Sequence, residues 1–143
     1  MNAACSVGTM EAATERAAAH CGQTRFQHLS TALAELPTIR AYVARMRLQT
    51  DMAASLTAAT LAALEGGAPE TMLRVLEVKA GAAEAALAVT ELGMRVCGGA
   101  AFRKEVGLER NFRDARAASV MAPTTDALYD FIGKAACGLP LFG

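Results

Sequence analysis

Apolar residues recur at helical spacing along almost the whole chain, interrupted by a few turns rich in glycine and proline. The first predicted helix covers residues 2 to 21. Ala12, Ala13, Ala17, Ala18 and Ala19 make it thin and closely packable, and Glu11, Glu15 and Arg16 mark a solvated side. A connection over residues 22 to 35 follows. The second helix is predicted from about Leu36 to about Leu64, with Pro37 tolerated at the first position because that amide has no helical acceptor. Ile39, Val43, Met46, Ala53, Leu61 and Leu64 share one of its faces. Leu48, Met52, Leu56 and Ala63 share another, with Arg40, Arg47 and Asp51 between them. The methionines on these faces read as packing residues.

Glu65-Gly66-Gly67-Ala68-Pro69 reads as a turn, with Pro69 opening a third helix from about Glu70 to Cys97. Met72, Leu76, Ala83, Leu87 and Met94 are its expected core face, and Val75, Val78, Val89 and Val96 a second. Glu77, Glu84 and Glu91 form an acidic stripe, spaced too widely for paired acid–base work. A last helix is expected from Asp126 to about Cys137, capped by Thr124 or Thr125 and stopped by Gly138-Leu139-Pro140. The pattern is an all-α, up-and-down four-helix bundle, one domain over residues 1–143. Two apolar faces per long helix also predict a homo-oligomer, because one bundle cannot cover both.

Composition narrows the function classes. Apolar residues are 53% and aromatic residues 5%, fitting close-packed Ala, Leu and Val helices. Fourteen basic against fourteen acidic residues leave no net charge, which argues against nucleic acid or an anionic membrane as partner. No run of about 18 apolar residues lacks charges, so no membrane span is expected. Cys5, Cys21, Cys97 and Cys137 lack metal-ligand spacing, and reduced thiols in a cytoplasmic protein are the expected state. His20 and His28 have no carboxylate or cysteine arranged around them and read as ordinary surface or packing residues.

The chemistry-bearing stretch runs from Gly93 to Asp126. Gly98-Gly99 either ends the third helix as a plain C-cap or lets backbone amides approach a phosphate. The charged segment Arg103–Arg116 reads as a loop, with Arg113 and Asp114 as an ion-paired clamp. Three motifs stand in order: Arg95-Val-Cys-Gly98-Gly99-Ala-Ala101-Phe102, then Leu108-Glu109-Arg110 with Arg113-Asp114-Ala115-Arg116, then Val120-Met121-Ala122-Pro123-Thr124. Together they resemble the C-terminal helical domain of the acyl-CoA dehydrogenases.

That resemblance implies a domain of a flavoprotein of fatty acid metabolism, in which FAD takes a hydride from the β-carbon of an acyl-CoA while a glutamate removes the α-proton. The family's N-terminal helical and middle β domains are not represented in residues 1–143, so the chain is expected to be no catalyst by itself. The resemblance assigns to the cofactor Arg25 and Phe26 in the first connection, Arg95 in the place of a family glutamine, Gly98, Gly99, Thr124 and Asp126. In the first connection the arginine is displaced and the family's glycine is missing. Ala122 stands where the family has its glutamate, and the other family position for the base aligns upstream of Ala3, so no catalytic residue is expected here. The implied partners are a second copy or a complementary dehydrogenase chain, with acyl-CoA bound by the complete enzyme. The alternatives are a non-catalytic helical oligomerisation module and one subunit of a split dehydrogenase.

Overall fold

The computed structural model describes residues 2–25 and 31–141. They form five α-helices: α1 (Asn2–Gln23), α2 (Pro37–Glu65), α3 (Thr71–Cys97), α4 (Leu108–Val120) and α5 (Thr125–Ala136). Short 3-10 turns span Leu33–Glu35 and Gly98–Phe102. Among the described residues there is no strand, only one isolated antiparallel bridge between Arg25 and Ala32.

α3 is the axis of the fold, and α1, α2, α4 and α5 all pack on it. Its sequence explains why. Ala80, Ala82, Ala83, Ala86 and Gly93 keep its surface low, so neighbouring helices approach on several sides. Of the expected second face Val78, Val89 and Val96 are buried, while Val75, near the start of the helix, is exposed. Of the expected core face Ala83 is buried, Leu87 and Met94 are half-buried against the core, and Met72 is exposed. By length and composition the Thr71–Phe102 segment is apolar enough to cross a membrane, contrary to expectation. The four helices packed around it account for that apolarity.

The core between α1, α2, α3 and α4 centres on Met10, Met46, Val89 and Leu108. Burying a side chain such as Met46 or Leu108 contributes about 1.5–3 kcal/mol. Thr50 and Thr90 are buried too, and each returns its hydroxyl to a carbonyl one turn back, Thr50 to Met46 O (2.8 Å) and Thr90 to Ala86 O (2.7 Å). On α2, Met46 and Ala53 are buried and Ile39 and Val43 pack against the core, as the first face predicts. Leu61 and Leu64 of that face are exposed near the tip of the α2–α3 hairpin, as are Leu48 and Met52 of the second face.

Local chemistry sets several helix ends where the sequence places them. Pro37 is the first residue of α2. Thr124 caps α5, its hydroxyl accepting from the Ala127 amide at 3.4 Å. Pro69 lies in the hairpin turn instead of opening α3. Thr71 begins that helix and donates its hydroxyl to Ala68 O (2.6 Å) and Ala63 O (3.0 Å).

The largest departure is α4. The charged segment expected as a loop is a thirteen-residue helix. Its buried stripe is only Leu108, Asn111, Ala115 and Ala118, and most of the remaining residues are exposed, Arg110, Arg113, Asp114 and Arg116 together with Phe112 and Val120. Arg113 does reach Asp114 (3.6 Å), but so does Arg110 (3.3 Å), and all three are solvated. Exposed pairs of this kind contribute roughly 0.3–0.5 kcal/mol, so they decorate the helix and do not clamp it. The clamp comes from α1. Arg16 donates to Gly107 O (3.2 Å) and to Asn111 Oδ1, and the Asn111 amide donates to Thr9 O (3.4 Å).

Candidate functional site

Most of the chemistry-bearing positions gather at the C-terminal end of α3. The helix closes with the Gly98 amide donating to Met94 O, and Gly98 then turns the chain with φ 53° and ψ −138°. That conformation favours glycine strongly, and it belongs to Gly98, not Gly99. A β-carbon built on either glycine would meet no atom within 4 Å, so the corner is open on its outer side.

The end of α1, the Leu33–Glu35 turn and this corner enclose a groove of about 530 Å³. His20, Thr24, Leu33, Arg95, Gly98 and Arg103 stand among its walls. Arg95 is engaged: its Nη2 lies 2.6 Å and its Nε 3.2 Å from Glu91 Oε1. That hydrogen bond and the Glu91 charge raise the arginine's pKa further, so it is cationic at any working pH. It both extends the stripe begun by Glu91 and lines the groove.

His20 is half-buried at the end of α1 and packs in the wall of the groove. The Thr24 hydroxyl lies 3.3 Å from its Nε2, and burial, then the Arg103 charge, lower its pKa below the usual histidine range. The ring is therefore mostly neutral at pH 7. In the wall of the groove, burial pushes the Cys97 thiol up to about 11, with Cys21 adding to the effect. Both cysteines are buried and free, and they act as apolar packing. Arg25 is exposed and follows Thr24, one of the groove's lining residues, in the chain. Phe26, with His28, lies outside the described residues.

Thr124, Asp126 and Ala122 sit elsewhere, at the corner between α4 and α5. Lys79, from the body of α3, donates its ammonium to Met121 O (3.0 Å) and to Pro123 O. Lys79 and Arg95 are sixteen residues apart on one helix, about 24 Å at 1.5 Å per residue. The assigned cofactor residues thus fall into two places: Arg25, Arg95, Gly98 and Gly99 at one, Thr124 and Asp126 at the other. Ala122 and Asp126 are exposed, and the methyl of Ala122 offers neither charge nor proton acceptor. Next to this corner a hollow of about 450 Å³ opens between α1 and α4, lined by Cys5, Ser6, Thr9, Asp114 and Met121.

Sequence reasoning singled out neither Lys79 nor Arg103. Lys79, in a run Val75–Ala83 whose only other charge is Glu77, was a usable signal, since a cation among apolar residues needs a partner. Arg103 carried none, because its surroundings come from residues about 80 positions earlier. Among the described residues, no group of three or more His, Cys, Asp or Glu is placed to hold a metal.

A family model described as acyl-CoA dehydrogenase, C-terminal domain, matches residues 1–137. No curated protein matches the sequence. Among solved structures, a glutaryl-coenzyme A dehydrogenase in complex with glutaryl-CoA superposes with a TM-score of 0.90 at 22% identity, over 98% of this chain and 35% of that one. Butyryl-CoA dehydrogenase from Megasphaera elsdenii gives 0.87 at 26% identity, over 95% and 35%. The FAD complex of PigA gives 0.85 at 18% identity, over 96% and 35%. The chain spans about a third of the length of each of these proteins.

Proposed function

The chain belongs to the acyl-CoA dehydrogenase family as a C-terminal domain, and from that premise we propose that it serves a FAD-dependent dehydrogenation of acyl-CoA thioesters. The observation that carries the proposal is the corner at the end of α3. There Gly98 and Gly99 leave open space, Thr24 offers a hydroxyl, and Arg95 and Arg103 supply cationic donors to one groove. Such a donor set fits the diphosphate of FAD: guanidinium groups bind phosphate oxygens in pairs, and a surface without β-carbons lets backbone amides approach.

When bound, FAD supplies the hydride acceptor. The chain's own residues hold and orient its phosphate-bearing end. At the other corner, Lys79 fixes the turn that carries Ala122 by binding the carbonyls on either side of it. Ala122 carries no carboxylate, so removal of the α-proton falls to a group other than this residue. A second copy or a complementary dehydrogenase chain is the partner we assign, with acyl-CoA as ligand of the whole assembly.

A second reading, a helical oligomerisation module without catalysis, is favoured by Ala122 together with the exposed Leu48 and Met52 on α2. Bound flavin separates the two. The purified chain, incubated with FAD and desalted, should retain absorbance near about 450 nm, where oxidised flavin absorbs. Loss of all flavin from the chain and from its mixture with a complementary chain would leave only the second reading.

A further inference from the structure

We infer that Arg103, rather than Arg95, is the guanidinium that grips the phosphate-bearing end of the ligand in the groove at the end of α3. The inference rests on the flavin reading above and names a residue outside the motifs that led to it.

Three observations carry it. First, the two arginines of the groove are not equivalent. Arg95 is bound to Glu91 at 2.6 Å and 3.2 Å through two of its nitrogens, so part of its donor fork is occupied. Arg103 makes no side-chain hydrogen bond or ion pair among the described residues, although it lines the same groove. An exposed guanidinium offers five donors in a fixed plane, matched to two oxygens of a phosphate. Second, its backbone is fixed. The Arg103 amide donates to Ala100 O (3.0 Å) and closes the 3-10 turn, so the side chain springs from the stiff end of the glycine corner. Third, its field reaches the opposite wall, because the Arg103 charge helps lower the pKa of His20 on α1. With that ring mostly neutral, the arginines supply the positive charge of the groove.

Three probes test the assignment on the intact chain: FAD, ADP and riboflavin, which lacks phosphate. Binding is followed by flavin fluorescence or, for ADP, by calorimetry. Arg103→Gln should weaken FAD and ADP by about tenfold or more, as loss of a hydrogen bond to a charged group does. Riboflavin affinity should be unchanged by the substitution. Arg103→Lys should recover part of the loss, and Arg95→Gln should cost less than Arg103→Gln. Melting of each variant by circular dichroism shows whether the fold is intact. Wild-type affinity for FAD and ADP in a well-folded Arg103→Gln chain overturns the inference and leaves the flavin reading standing. An equal loss of riboflavin also overturns it, since the residue would then act on the fold. If the wild-type chain binds neither FAD nor ADP at millimolar concentration, either alone or mixed with a complementary dehydrogenase chain, the inference and the flavin reading fall together.

Discussion

The two methyls of Leu108 lie over the bare Cα of Gly93, so close that a β-carbon built on Gly93 would stand 3.1 Å from each. The Met46 methyl would be 3.2 Å away, and both neighbours are fully buried. This contact seats α4 on α3, and with it the turn that carries Ala122. Gly93→Ala gains about 1 kcal/mol of helix propensity but overfills a closed site, at a cost of about 1–3 kcal/mol. A net loss of about 1 kcal/mol is expected by urea or thermal unfolding. Gly8→Ala is the control: it is an exposed helical position with nothing within 4 Å of the new methyl. It should stabilise by about 0.5–1 kcal/mol. Equal gains at both sites would mean that Leu108 and Met46 repack freely.

Lys79 is the second point that fixes the α4–α5 corner. Its ammonium binds two carbonyls of a turn 42 and 44 residues away. Lys79→Met keeps the stem and removes the bonds, and should cost about 1 kcal/mol because the site is half in solvent. The turn should loosen more than the bundle does. Limited proteolysis should therefore cut the variant between residues 120 and 125 first, while α1–α3 stay protected. Uniform resistance there would remove Lys79 from its positioning role.

Much of this architecture was legible because it is written locally. Pro37 and Thr124 set helix ends through their own backbone chemistry, and the 3.6-residue period gave α1, α2 and α3. What failed was information held between helices. Periodicity says that Val75, Val78, Val89 and Val96 share a face, but not that α3 lies in the middle with that face covered from Val78 onward and Val75 left exposed. α4 was missed because its many charged residues read as a loop, although Leu108, Asn111, Ala115 and Ala118 recur at helical spacing among them. Arg16 is solvated as expected, but its partners lie 91 and 95 residues ahead, beyond any local pattern. The groove was half-read for the same reason: Arg95 and Gly98 are close in sequence, whereas His20 and Thr24 reach them only through the fold.

The four cysteines should divide by reactivity. Cys5 and Cys137 are exposed, while Cys21 and Cys97 are buried with raised pKa values, Cys97 to about 11. The thiolate is the nucleophile, so at pH 8 two thiols should alkylate quickly and two only after unfolding. The same shift predicts a pH dependence. The folded state holds the Cys97 proton more tightly than the unfolded chain, whose thiol keeps its ordinary value of 9.0. The stabilisation is complete below about pH 9 and is lost as pH rises towards about 11. Cys97→Ala should flatten that decline in melting temperature; an unchanged decline would assign it to other groups.

Leu48 and Met52 lie one turn apart on the outer side of α2, both more than half exposed, at 61% and 62%. Side chains of this size left in water favour association. The chain is expected to sediment as a dimer or larger species at micromolar concentration. Leu48→Lys with Met52→Lys should shift it towards monomer without lowering helix content, since neither side chain fills the core. A monomeric wild type that also fails to bind a hydrophobic dye would contradict this.

The glycine corner separates structure from ligand binding at adjacent residues. Gly98 holds φ 53° with ψ −138°, which a residue with a β-carbon adopts only at a cost of about 1–3 kcal/mol. Gly98→Ala should therefore lower stability by that amount whether or not the corner binds anything. Gly99 has no positive φ, and an added methyl meets no atom of the chain within 4 Å. Gly99→Ala should leave the melting temperature nearly unchanged. If the diphosphate of FAD rests on this corner, the same methyl stands between the backbone and the phosphate, and FAD affinity should fall while stability does not. Gly98→Ala then serves as the reference for a purely conformational defect, measured by melting and flavin titration together. If Gly99→Ala binds FAD as tightly as the wild type, the phosphate does not rest on this corner, and Gly98-Gly99 serves only to end α3.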